Sequence, residues 1–194
     1  RAGKADTRLS QHGPLASGVP GALAAYARLA KAHGKLPLRV HLETAATVAE
    51  EGFVIPAAYA GRIRATAKGL AKFPASGALL LKADGSPKVA GDLLKQPDLA
   101  HTYRAIADEG TGWFYGGPFA RRTGMWMKDN GGILMARDFS DYKTTSPPPV
   151  RTTYRGHTIL GMQPPSSGGV HVAQILNILE HFDLAKMDPA SADF

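Results

Sequence analysis

The segment Met162-Gln163-Pro164-Pro165-Ser166-Ser167-Gly168-Gly169-Val170-His171, running into Gln174-Ile175-Leu176-Asn177-Ile178-Leu179-Glu180, constrains this chain more than any other. It joins a rigid approach, a helix start and an amphipathic helix. The prolines fix φ and remove backbone donors. Ser166 or Ser167 is placed to accept a hydrogen bond from an otherwise orphan helix N–H, and Gly168 and Gly169 let the first turn sit against neighbouring backbone. Val172, Ile175, Leu176 and Leu179 recur at helical spacing, which predicts a helix over about residues 168–182. Serine hydroxyls and bare glycine amides at a helix start also have the chemistry of an anion site. A helix cap accounts for the same residues without a ligand.

Upstream, the pattern is mostly helical. Residues 1–18 read as an extended arm. Pro20 suits the first turn of a helix through Leu23, Tyr26 and Leu29 that Gly34 stops, with Lys31 and His33 favourable near its C-terminal dipole. A second helix is predicted over 38–51 with Gly52 as its stop, and a third from Pro56 to about Lys72, ended by Phe73-Pro74. Residues 74–95 are broken by Gly77, Asp84-Gly85, Pro87 and Gly91 and read as a surface excursion with one short strand in the apolar run 78–81. Gln96-Pro97-Asp98 opens a helix that Gly110 closes. A further helix over 113–130 carries Phe114, Tyr115, Phe119, Met125, Trp126 and Met127, a stripe that reads as core. A short cap-and-helix unit follows over 133–142. Residues 147–162 read as a proline-rich connection and a β-hairpin about Arg155-Gly156. The fold class expected is mainly α with one β-hairpin, the whole of 1–194 forming a single helical lobe.

Beyond the segment 162–180, a collinear series of further motifs completes the picture: Ala16-Ser17-Gly18-Val19-Pro20-Gly21, His33-Gly34-Lys35-Leu36-Pro37-Leu38, Ala49-Glu50-Glu51-Gly52-Phe53, Gln96-Pro97-Asp98-Leu99-Ala100, Trp113-Phe114-Tyr115-Gly116-Gly117, Gly131-Gly132-Ile133 and Tyr154-Arg155-Gly156. In this order they resemble the large subunit of the gamma-glutamyltranspeptidase family, whose Pro-Pro-Pro-Ser-Ser-Gly-Gly stretch precedes a Leu-Asn-Ile-Leu-Glu helix. One family proline is Gln163 here. The resemblance implies a helical lobe of a larger αββα N-terminal nucleophile hydrolase. It further implies a precursor that cuts itself, so that a new N-terminal Thr of a small subunit attacks gamma-glutamyl amides such as glutathione. Its own amine is a suitable base. The acyl group then passes to water or to an amino acid.

The machinery for that step is not in these residues. No segment resembles the family's Thr-Thr-His junction, and Arg1, followed by Ala2-Gly3-Lys4, lacks the context of the family's substrate-clamping Arg. The residues therefore carry no catalytic assignment, and the chain is expected to be inactive alone. Ser166, Ser167, Gly168 and Gly169 are the residues expected nearest substrate in the complete enzyme. Its implied partners are the Thr-bearing small subunit, the rest of the large subunit and a gamma-glutamyl substrate. Two further readings stay open: a related acylase with another acyl group, and a non-catalytic helical interaction module.

Other chemistries have weak support. There are no cysteines, which excludes disulfides, thiolate nucleophiles and Cys-type zinc sites. The seven histidines show neither i, i+4 pairing nor HExxH, and no metal or cofactor is expected. Lone serines such as Ser10 and Ser17 sit in no Gly-x-Ser-x-Gly elbow. Asp138 with Asp141, and Glu50 with Glu51, read as exposed helix-end acids rather than acid and base pairs. The net charge of +7 would draw a polyanion if it were focused on one face. The densest stretch, Arg62, Arg64, Lys68 and Lys72, has no interleaved aromatics, so it reads as a solvated face or one that meets an acidic partner segment, not as a nucleic-acid reader. No apolar run reaches the eighteen or so residues of a membrane span. A start at Arg1 without Met is compatible with a targeting segment that is removed or simply not included, and the ending after Asp188-Pro189 suggests truncation inside a larger structure. The resemblance implies a periplasmic or extracellular location.

Overall fold

The structure, a computed structural model, describes residues 7–191. The chain divides into two compact units, 1–144 and 145–194, where the sequence reading has one lobe. The boundary falls at the start of the Pro147–Pro149 connection. Each unit is described by itself.

In the first unit, α2 (Leu38–Glu51) starts and stops where predicted, and α1 (Ala22–His33) stops at Gly34 as predicted but starts after Gly21, which leaves Pro20 ahead of the helix rather than in its first turn. Leu42, Ala46 and Ala49, at i, i+4 and i+7, form the buried side of α2. They pack on α5 (Pro97–Glu109), which buries Ala100 and Ile106. The small side chains Ala46, Ala49 and Ala100 are nearly inaccessible and allow a close helix approach. Gly52 ends α2 with φ 88° and directs its N–H to Val48 O at 2.9 Å. A Cβ there would lie 2.8 Å from Leu94 O, so both conformation and space require glycine.

β1 (Phe53–Val54) pairs antiparallel with β2 (Leu93–Leu94), with Phe53 opposite Leu94 and Val54 opposite Leu93. This second two-stranded sheet has no local turn signal and is an addition to the expected single hairpin. Between them lie α3 (Ala57–Leu70) and α4 (Pro74–Leu80). The supposed strand at 78–81 is thus mostly the end of a helix that Pro74 starts. Nor is 74–95 only a surface excursion, because Leu81 and Leu94 are buried and Leu94 joins Ile55 and Ile63 in a small core.

α6 (Thr111–Tyr115) and α7 (Pro118–Asp129) replace the single helix expected over 113–130. Gly116-Gly117 breaks it, and Pro118 has no N–H to continue it. Phe114 stacks on Phe119 with centroids 4.1 Å apart, and both meet Phe139 of α8 (Ala136–Ser140) at 6.2 and 6.1 Å. Met127 is also buried, but Met125 and Trp126 are 60% and 49% exposed. These two belong to the opposite face of α7 and are not core. Before α1, residues 7–16 form turns and a 3₁₀ turn at Pro14–Ala16 rather than an extended arm, closed by short-range backbone bonds such as His12 N–H to Arg8 O. Residues 1–6 of that arm lie outside the described residues.

The second unit is a hairpin and a helix. β3 (Val150–Tyr154) and β4 (His157–Gly161) pair from Val150 opposite Gly161 to Tyr154 opposite His157. Arg155 and Gly156, both at positive φ (47° and 81°), make the two-residue turn whose twist suits a hairpin. α9 (Gly168–Leu179) follows, three residues shorter than its predicted end at 182.

Candidate functional site

The turn from β4 into α9 holds the four residues expected nearest substrate. The Pro164–Pro165 bond is cis, and Ser166 N–H closes the turn onto Gln163 O at 3.1 Å. Ser166 Oγ accepts the Gly168 N–H at 3.3 Å. Ser167, the residue before the helix, makes no side-chain cap bond. Its backbone is already helical at φ −76° and ψ −19°, whereas a capping side chain reaches the first-turn amides from an extended backbone. The cap therefore comes from Ser166, one residue earlier.

The glycines differ as sharply as the serines. Gly169 is buried and sends its N–H to Met162 O at 3.2 Å. A Cβ on Gly169 would collide with Met162 O, and one on Gly161 would lie 2.6 Å from Gly169 Cα. The end of β4 and the start of α9 thus touch backbone to backbone. Gly168 is exposed, and a Cβ there would meet only Ser166 Oγ, at 3.5 Å. Because Gly168 and Gly169 both spend their amides inside the turn, this helix start presents fewer free donors to an anion than its sequence promises. Ser166, Ser167 and Gly168 remain on the exposed surface.

The far end of α9 is tied to the hairpin turn. Arg155 N–H donates to Glu180 Oε1 at 2.9 Å, and the Arg155 guanidinium donates to Phe182 O at 3.4 Å while lying 5.2 Å from the Tyr154 ring centroid. Thr152 Oγ donates to Asn177 Oδ1 at 2.8 Å. Sequence reasoning placed Arg155 in a turn but missed its partner, which is 25 residues away and has no local signal. A shallow concavity of about 450 Å³ runs along α9 beside Gln174, Asn177 and His181.

The groups with shifted ionisation lie in the first unit. The Arg104 guanidinium hydrogen-bonds Glu50 and lowers its carboxyl, and the Val89 N–H and Lys82 do the same for Asp92. Asp84 is lowered by its bonds from Ser86. Burial raises the Tyr115 phenol, whose oxygen accepts the Ala24 N–H at 3.0 Å and donates to Pro20 O at 2.7 Å. Of the carboxylate pairs considered from sequence, Asp138 caps α8 by accepting Met135 N–H, Asp141 stands at its C-terminal end, and Glu50 is paired with Arg104. None of these is an acid and base pair around a cavity. A cavity of about 910 Å³ in the first unit is apolar and lies among Leu23, Tyr26, Leu29, Leu42, Tyr103 and Phe119. Among the described residues no three of His, Asp and Glu converge as metal ligands, and no helix is long and apolar enough to cross a membrane.

Comparison with known proteins bears on the chain as a whole. The sequence model of the gamma-glutamyltranspeptidase family matches residues 1–194. The chain is 35% identical over 191 residues to a glutathione hydrolase proenzyme of Escherichia coli, covering 98% of this chain and 33% of that protein. It is 40% identical over 190 residues to the acylase ACY 1 proenzyme of a Pseudomonas species, covering 97% of this chain and 34% of that one. Its structure resembles the crystal structure of Helicobacter pylori gamma-glutamyltranspeptidase with a TM-score of 0.90 and 35% identity, over 95% of this chain and 53% of that one. The chain spans about a third of the length of the curated relatives it matches.

Proposed function

The chain belongs to the gamma-glutamyltranspeptidase family, and we propose that it is part of an enzyme that cleaves gamma-glutamyl amides such as glutathione and passes the acyl group to water or an amino acid. The observation that carries this reading is the collinear match to the family over all 194 residues. In the complete protein a Thr at the start of a small subunit is the nucleophile, its amine serving as base. This chain contributes part of the large subunit and supports the nucleophile from outside. By itself it has no gamma-glutamyl transfer activity, and robust turnover by pure residues 1–194 would overturn that statement. The complete enzyme is placed in the periplasm or outside the cell.

Ser166, Ser167, Gly168 and Gly169 are the residues of this chain placed nearest substrate. The exposed hydroxyls support this, and the buried Gly169 holds them in a fixed turn. Ser166→Ala and Ser167→Ala in the parent should raise KM for a gamma-glutamyl substrate. Unchanged kinetics in both would leave the turn a purely structural element.

The test of the function is release of p-nitroaniline from gamma-glutamyl-p-nitroanilide by the parent, with and without an acceptor dipeptide. Acceptor-stimulated release is the expected result. The 40% identity to an acylase supports a second reading, in which the same scaffold serves another acyl group. No release from a parent that has cleaved itself would select that reading.

A further inference from the structure

The positive charge of this chain is concentrated. Residues 57–95 hold seven of its 23 Lys and Arg but two of its 16 Asp and Glu, and so carry five of its seven net positive charges. Both acids are committed internally. Asp92 meets the Lys82 ammonium at 3.3 Å and the Val89 N–H at 2.8 Å, and Asp84 accepts from the Ser86 N–H and hydroxyl at 2.9 and 2.6 Å. Arg62, Arg64, Lys68, Lys72, Lys88 and Lys95 have no ion pair among the described residues. On α2 and α5, by contrast, Arg39 is matched by Glu43 and Asp108, and Arg104 by Glu50.

The arrangement of these cations is directional. Arg64 and Lys68, four residues apart on α3, share one face at a step of about 6 Å, and Lys72 follows in the turn just past the helix end. Like charges at that spacing repel and weaken a helix unless something of opposite sign lies over them. Arg64 also lines a cavity of about 320 Å³ together with Pro87–Ala90, which brings Lys88 to the same place from a different segment.

We propose that this face of α3, with Lys88 beside it, docks an acidic polypeptide segment. Carboxylates at alternate positions of an extended strand, about 7 Å apart, or at i and i+4 of a helix, about 6 Å apart, match the step between the cations. A single-stranded nucleic acid fits less well, because no aromatic residue stands between Arg62 and Lys72 on which a base could stack. A lipid surface also fits less well. Ile63, Ala60 and Leu70, the apolar side of α3, are spent on the small core with Ile55 and Leu94 and leave nothing to insert.

The complete parent is tested with a short fluorescent poly-L-glutamate by anisotropy at low ionic strength. The triple variant Arg64→Glu, Lys68→Glu, Lys88→Glu should bind it roughly 30-fold more weakly, below the ceiling of about 125-fold set by three exposed charge pairs worth up to about five-fold each. Binding to the unaltered parent should fall as salt is raised. The control is Arg122→Glu, Lys128→Glu, Lys143→Glu, three exposed cations outside the face that remove the same total charge and should leave binding nearly unchanged. The Gln versions of the first three positions should show the same order of effect in case the Glu variant fails to fold. Equal weakening by both triples would reduce the effect to net charge and overturn the proposal. So would tighter binding to duplex DNA or to phosphatidylglycerol vesicles than to poly-L-glutamate, or no binding at all.

Discussion

Residues 7–144 bury thirteen apolar side chains, whereas among residues 145–191 the buried residue is Gly169, which has no side chain. The contrast runs against composition. α9 is the most apolar of the long helices, yet Val170, Val172, Ile175 and Ile178 on it are 42–53% exposed. The first unit is held by side-chain packing, through an aromatic cluster, an alanine seam and a small aliphatic core. The second is held by ladder bonds, a glycine-to-glycine contact and polar ties at Arg155 and Thr152. A two-stranded hairpin under one helix is marginal by itself. An apolar helix without a buried side chain is the signature of a surface made to be covered, and the relatives are about three times as long as this chain.

The comparison is broken or upheld most directly by truncating one side chain on each side of it. Phe139→Ala removes a fully buried ring that packs beside the stacked Phe114 and Phe119 and should cost about 3–5 kcal/mol in urea unfolding of residues 1–194. Ile175→Ala in the same chain should cost less than about 0.5 kcal/mol, as exposed substitutions do. In the complete parent, Ile175→Ala should rise to about 2–5 kcal/mol, the value for a buried aliphatic. If it stays silent there, α9 faces solvent in the parent too, and the contrast between the units says nothing about coverage.

A smaller effect separates the two glycines. Gly169→Ala pushes a methyl into Met162 O and should cost about 1–3 kcal/mol, with faster hydrogen exchange at β4 amides. Gly168→Ala meets only ordinary contact and should be neutral or gain up to about 1 kcal/mol from helix propensity. Equal responses would mean that the second unit is not held together at the Gly161–Gly169 contact.

What the sequence disclosed follows from which interactions are local. α2, α5 and the hairpin were readable almost to the residue, because Gly52, Gly110 and Arg155-Gly156 act through their own φ angles. The pairing of Phe53-Val54 with Leu93-Leu94 was not, since strands of two residues separated by two helices leave no periodicity to read. Met125 and Trp126 have core residue types but the wrong helical phase, and Met127 alone of the three points inward. At the candidate site, the glycine contact was foreseeable from Gly168-Gly169, but which serine caps depended on the helical backbone of Ser167. The Arg155 to Glu180 tie was invisible for the same reason as the second sheet.

Within the packed unit, polar contacts should matter less than rings but still measurably. Tyr115→Phe leaves the Ala24 N–H and Pro20 O without their partner and should cost about 1 kcal/mol. The loss should be read as a lower melting temperature with unchanged aromatic stacking of Phe114 on Phe119. A cost as large as that of Phe139→Ala would mean that this hydroxyl, and not the aromatic cluster, organises the first unit.

The smallest effect expected is electrostatic. Glu50 on α2 is hydrogen-bonded by Arg104 on α5, which holds its carboxyl below the ordinary carboxylate range. A group whose pKa is lower folded than unfolded adds stability above its unfolded pKa and loses it as pH falls through the folded value. The contribution of Glu50 is therefore complete at neutral pH and disappears only in acid, while Arg104 stays protonated throughout. Both side chains are about half exposed, so water and salt screen the pair, and the alanine seam beneath it should hold α2 on α5 without it. Glu50→Gln should thus flatten the acid limb of the stability profile slightly and leave neutral stability nearly intact. A large loss at neutral pH would place the hold between these helices in the ion pair, and the distinction between a side-chain-packed unit and a polar-tied one would no longer describe the molecule.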